Sequence, residues 1–148
     1  MTEETGGTGL GHRSISMDRV AKGVFDVTNV RGGTIRIGGG EGPEFTPVEL
    51  LLTAIAGCTA VDVDFITVKR AEPETFTVAA SGEKLKDEHG NHMGDLQVSF
   101  SVTFPEGEAG DRAREMLPKA LAMSHDRLCT VSRTVELGTP VVSRLATD

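Results

Sequence analysis

The residues from Thr46 to Arg70, TPVELLLTAIAGCTAVDVDFITVKR, form the longest apolar run in the chain and predict its central helix. Thr46 is placed to cap it, Pro47 suits the first helical position, and Glu49 completes a T-x-x-E capping box. Leu50, Leu51, Leu52, Ile55, Val61, Val63, Phe65, Ile66 and Val68 put hydrocarbon on nearly every side. That is the pattern of a helix buried in a core or an interface. Lys69 and Arg70 suit the negative end of the helix dipole, with Pro73 just beyond. Asp62 and Asp64 interrupt the apolar run, so no membrane span is expected. Cys58 is the strongest nucleophile on this helix.

Around the helix, short alternating segments predict strands. Residues 1–16 are expected to be a flexible arm and residues 17–148 a single domain. Met17–Val30 reads as one strand, Arg31-Gly32-Gly33 as a tight turn, and Thr34–Ile37 as a returning strand. The loop GGGEGP at 38–43 lacks the spacing and the lysine of a phosphate-binding loop, so it is read as a connector. Glu74–Leu85 and Leu96–Phe104 alternate at period two and predict a long antiparallel hairpin, with Lys86–Gly94 as a polar turn region. Asp111–Ser124 has helical periodicity with a kink or restart at Pro118. Cys129–Glu136 suggests a short third helix and Pro140–Leu145 a last strand. The order β-β-α-β-β-α-(α)-β predicts an α+β fold with helices on antiparallel sheet.

Charge and cysteine content narrow the function classes. A net charge of −7, without clustered Lys or Arg, argues against general binding of nucleic acid or anionic membranes. The N-terminal residues MTEETGGTGLGHRS lack the apolar core of a signal peptide, so cytoplasmic location is the expectation. Two cysteines 71 positions apart, with no C-x-x-C, are either inert core residues or a redox pair. Cys58 lies in the third helical turn, beyond the useful reach of the dipole, and Asp62 one turn on disfavours its thiolate. A stabilising cation must come from elsewhere in the fold or from a second subunit. Cys129, in SHDRLCTVSR, has His125, Arg127 and Arg133 close in sequence. His125-x-x-x-Cys129 is compatible with a metal, but two ligands without a second pair do not make a site. Asp87, His89 and His92 read as a solvated hairpin tip. Glu49 lies roughly 13 Å along the helix from Cys58 and on its opposite side, so within one subunit it cannot act on that sulfur.

PVELLLTAIAGCTAVDV, followed about seventy residues later by SHDRLCTVSRTV, resembles the OsmC/Ohr family of osmotically inducible and organic hydroperoxide resistance proteins. The similarity spans about residues 17–145. It implies an OsmC-like α+β fold, antiparallel sheets around a long central cysteine-bearing helix, in an intertwined homodimer with sites at the interface. It further implies a thiol peroxidase that uses no metal or organic cofactor. Cys58 would attack an organic hydroperoxide and become a sulfenic acid, and Cys129 would condense with it to a disulfide, guarding against over-oxidation. A dithiol reductant, lipoyl or thioredoxin-like, would restore the thiols. The chain departs from the peroxidase members in two places. Their glutamate directly follows the helix-opening proline, where this chain has Val48 and then Glu49. Their arginine falls in a region that here reads KGVFDV, leaving Arg31 and Arg19 as approximate substitutes. Arg31 is expected to stabilise the thiolate and Glu49 to orient the pair across the dimer. The alternative is a binding module holding a small hydrophobic ligand at the dimer interface, or a redox sensor.

Overall fold

The computed structural model describes residues 9–146, which form two compact units, the first ending at Leu51 and the second beginning at Leu52. The first unit contains a three-stranded antiparallel sheet in the order β1 (Ile15–Ala21), β2 (Val24–Asn29), β3 (Thr34–Ile37). Met17–Val30 is therefore a hairpin and not one strand. Its β-branched residues continue across the break, and only Gly23, at φ 72°, marks the reversal. Of the expected arm, residues 1–8 lie outside the described residues, 9–14 are irregular, and β1 already begins at Ile15. The second turn is as expected. Asn29 Oδ1 accepts the N–H groups of Arg31 at 2.9 Å and Gly33 at 3.0 Å, and Gly32 takes φ 88°. Arg36 grips Asp26 across β2 and β3 through two hydrogen bonds of 2.7 and 3.0 Å.

Helix α1 (Pro47–Thr67) starts in the first unit and continues into the second. Its capping box is complete: Thr46 N–H donates to Glu49 Oε1 at 2.9 Å, and Glu49 N–H donates to Thr46 Oγ1 at 3.2 Å. Within one chain its burial is partial. Ile55, Val63 and Thr67 are buried, but Val61 and Phe65, with Val68 just past the helix end, are exposed, Phe65 by 55%. One chain supplies too few neighbours to surround a helix that is apolar on every side. The helix has the length and composition to cross a membrane. It nevertheless carries Asp62 and Asp64, and Asp62 is engaged by a second-unit hydroxyl.

In the second unit, β4 (Thr75–Asp87) and β5 (Gly90–Thr103) pair antiparallel from Thr75↔Thr103 to Asp87↔Gly90. The polar segment expected to be a loop is mostly strand, and the turn shrinks to Glu88 and His89. Asp87 is the reason. Its Oδ1 accepts the N–H groups of His89 at 2.8 Å and Gly90 at 3.1 Å, closing the reversal in two residues. On the sheet, Phe76 and Phe100 meet edge to face with centroids 6.3 Å apart. Helix α2 (Glu108–Met123) runs through Pro118 without restarting. It buries Ala113, Ala120 and Gly110, where an added Cβ would collide with the carbonyl of Pro105.

A π-helical turn, Ser124–Leu128, joins α2 to α3 (Thr130–Leu137), which ends at Gly138 with φ 63°. The expected last strand at Pro140–Leu145 does not form. Those residues are irregular, with Val141 and Val142 89% and 86% exposed, and no described strand lies alongside to pair with them. The observed order is β-β-β-α-β-β-α-α, and the α+β class holds.

Candidate active site

The second unit brings the two sulfurs together. Cys58, half-buried on α1, and Cys129, 2% exposed at the start of α3, share a hydrogen bond, and both thiols are free. The π-helical turn makes this meeting possible. Its wider winding carries the chain to Cys129, whose N–H donates to Ser124 O at 2.8 Å, and α3 then begins with Cys129 as its N-cap. As the cap, Cys129 Sγ accepts the N–H of Ser132 at 3.4 Å. It lies 3.2 Å from Ser132 Oγ, and Thr59 Oγ1 on α1 donates to it at 3.6 Å.

The two thiols shift in opposite directions. Burial pushes Cys129 up, but hydrogen bonds from the hydroxyl and N–H of Ser132, from Thr59 and from Cys58 outweigh it and lower the thiol below its ordinary value. Burial also pushes Cys58 up. The N–H of Val131 opposes this, yet the hydrogen bond and charge of Cys129 and the carboxylate of Asp62 leave the Cys58 thiol raised. Asp62 is fixed one turn beyond Cys58 by Ser124, whose fully buried hydroxyl donates to Oδ2 at 2.8 Å.

Beside the pair opens a cavity of about 550 Å³. Its apolar wall is Ile55, Leu96, Val98, Phe100, Leu121 and Val135, and its protic groups are Thr59, Ser132, His125 and Glu136. Thr59 and Ser132 are also the hydroxyls that hydrogen-bond Cys129, so the cavity lies one side chain away from that sulfur. His125 lies with Nδ1 3.2 Å from Asp126 and Nε2 3.4 Å from Glu136. The Asp126 hydrogen bond first, then the Glu136 charge, raise its imidazole above the ordinary value.

Arg31 and Glu49 are placed in the first unit, so the sulfur site is assembled from second-unit residues alone. Arg31 occupies the β2–β3 turn, and Glu49 serves the helix cap, its hydrogen bonds from the Thr46 N–H and hydroxyl holding its carboxyl below the usual value. Among the described residues no group of three His, Cys, Asp or Glu could hold a metal. Sequence reasoning missed Thr59, Ser132 and the Ser124–Asp62 tie. Only Ser132 left a trace, a hydroxyl three places after a cysteine at a helix start, which is the spacing of a reciprocal cap.

A family model described as OsmC-like protein matches residues 38–144. Among solved structures, a hypothetical protein from Aquifex aeolicus superposes with a TM-score of 0.69 at 22% identity, covering 88% of this chain and 91% of that one. An OsmC-like protein of unknown function from Vibrio cholerae gives 0.63 at 16% identity, covering 86% and 95%. The organic hydroperoxide resistance protein OhrB of Bacillus subtilis gives 0.52 at 15%, covering 85% and 92%. No curated protein matches the chain in sequence. At these identities the structures attest the fold, while the family model spans most of the sequence, the cysteine helix and the second cysteine included. The chain belongs to the OsmC-like family.

Proposed function

We propose that this protein is a two-cysteine peroxidase for organic hydroperoxides, working as a cytoplasmic homodimer in which residues 17–148 act as one OsmC-like domain. The observation that carries the reading is the hydrogen-bonded pair of free thiols beside an apolar cavity. The two sulfurs divide the work. Cys129 holds negative charge more readily, whereas Cys58 is the more accessible. As Cys58 attacks the terminal oxygen of the hydroperoxide, its proton passes to the Cys129 thiolate. The S–O bond forms, the O–O bond breaks, and an alkoxide leaves to be protonated to the alcohol. Cys129 then attacks the Cys58 sulfenic acid, and the displaced hydroxide takes the Cys129 proton as water, leaving a disulfide. A lipoyl or thioredoxin-like dithiol supplies the two electrons that restore the thiols.

A second copy of the chain fits the exposed circumference of α1. Val61, Phe65 and Val68 form an uncovered apolar strip, and uncovered strips of this kind mark interfaces. Arg31 and Glu49 of the dimer are proposed to support the thiolate, in the place of the arginine and glutamate of the peroxidase members. Consumption of cumene hydroperoxide by the wild type and by Cys58→Ser tests the reaction: the variant should lose at least about 1,000-fold, and equal rates would refute it.

One observation favours a second reading. The raised Cys58 thiol suits an idle sulfur beside a cavity that simply holds an apolar ligand. Under that reading the wild type consumes no hydroperoxide, and a fluorescent fatty acid binds equally well to wild type and Cys58→Ser.

A further inference from the structure

Attack on a hydroperoxide expels an alkoxide, a far stronger base than water tolerates, so some group must deliver a proton as the O–O bond breaks. The cavity beside the sulfurs is walled mainly by hydrocarbon, and its protic lining is confined to Thr59, Ser132, His125 and Glu136. Thr59 and Ser132 are engaged with Cys129 Sγ, and a hydroxyl is too weak an acid to protonate an alkoxide early. Glu136 sets its carboxyl oxygen 3.4 Å from His125 Nε2, where it is an acceptor for the ring's proton. His125 differs from all three. It stands on the π-helical turn that also positions Cys129, between two carboxylates, Asp126 on its own turn and Glu136 from α3.

Resting on the peroxidase reading, we infer that His125 is the proton donor to the departing alcohol oxygen and that Glu136 is its positioning residue. The substrate lies with its hydrocarbon along Val98, Phe100 and Leu121 and its peroxide end toward Thr59 and Ser132. As the sulfur takes the terminal OH, the imidazolium N–H transfers its proton to the alkoxide, and the products are sulfenic acid, neutral alcohol and neutral imidazole. The exposed ring then recovers a proton from solvent. The two flanking carboxylates favour the charged ring, so the donor form is populated further into the neutral range than for an isolated histidine.

The test uses two oxidants that differ in leaving group. Cumene hydroperoxide releases an alkoxide that needs the proton, while peracetic acid releases a carboxylate that does not. His125→Asn should slow single-turnover oxidation by cumene hydroperoxide roughly 100-fold, and by peracetic acid less than about threefold. Glu136→Gln keeps the donor but withdraws a charge that holds its proton, so the alkaline limb of the cumene hydroperoxide rate should move to lower pH. Equal losses of His125→Asn on both oxidants, or an unmoved limb in Glu136→Gln, would overturn the donor role alone. Inertness of the wild type toward cumene hydroperoxide would overturn the peroxidase reading and the donor role together.

Discussion

The two cysteines meet in space, yet the segments that carry them treat sulfur in opposite ways. Cys58 sits inside a helix whose own N–H groups are already used, with a carboxylate one turn away. Cys129 sits at the mouth of a helix, where the first N–H groups have no helical partner and a sulfur can accept from them. The same side chain is therefore disfavoured as an anion in one place and favoured in the other. Burial does not distinguish them, since it raises both. The number and direction of hydrogen-bond donors do.

The largest expected effect breaks the pair itself. Cys129→Ser should consume no more than about three equivalents of hydroperoxide, as Cys58 climbs from sulfenic towards sulfonic acid, and then stop, with steady-state turnover down at least about 100-fold. Mass spectrometry of the spent variant should find Cys58 as sulfinic or sulfonic acid, and in oxidised wild type a Cys58–Cys129 disulfide linking two copies would instead show that resolution occurs across chains. Next in size is the tie between the two segments. Ser124→Ala strips the half-buried Asp62 of its donor and should lower unfolding free energy by about 1–3 kcal/mol in urea titrations.

A smaller change sharpens the electrostatic contrast. Ser132→Ala removes a donor to Cys129 and should slow its alkylation at neutral pH roughly tenfold, with the rate recovering as pH rises. An unchanged alkylation profile would mean that the cap hydroxyl contributes nothing to the thiolate. The smallest effect concerns the wild type's own pH dependence. Because the His125 ring is charged more readily in the folded state, its ion pairs stabilise the protein below the ordinary histidine pKa of about 6.5 and fade as pH rises through the raised folded value. Thermal scans of wild type and His125→Asn should therefore converge above that range and separate below it.

Much of the frame was legible in one dimension. Thr46, Pro47 and Glu49 announced the start of α1 because a capping box is a local reciprocal bond between residues three apart. The β4–β5 pairing followed from alternation, since a strand with one half-buried face must repeat at period two. The errors arose where one residue outweighed its neighbours. Gly23 reversed an apparently continuous strand, and Asp87 tightened a turn that polar composition made look long. Pro140–Leu145 carried strand-like residues, but a strand exists only beside a partner edge, which composition cannot supply.

By itself the sequence determined the α+β class, the capped apolar helix and the presence of two cysteines in the family's order. Only the folded chain decided that those cysteines share a hydrogen bond, which of them bears charge more easily, and that His125 and Glu136 line the neighbouring cavity. The physical reason is one of range. Caps and periodicity act between residues three or four apart, whereas a thiol's ionisation depends on donors and charges brought to it from anywhere along the chain.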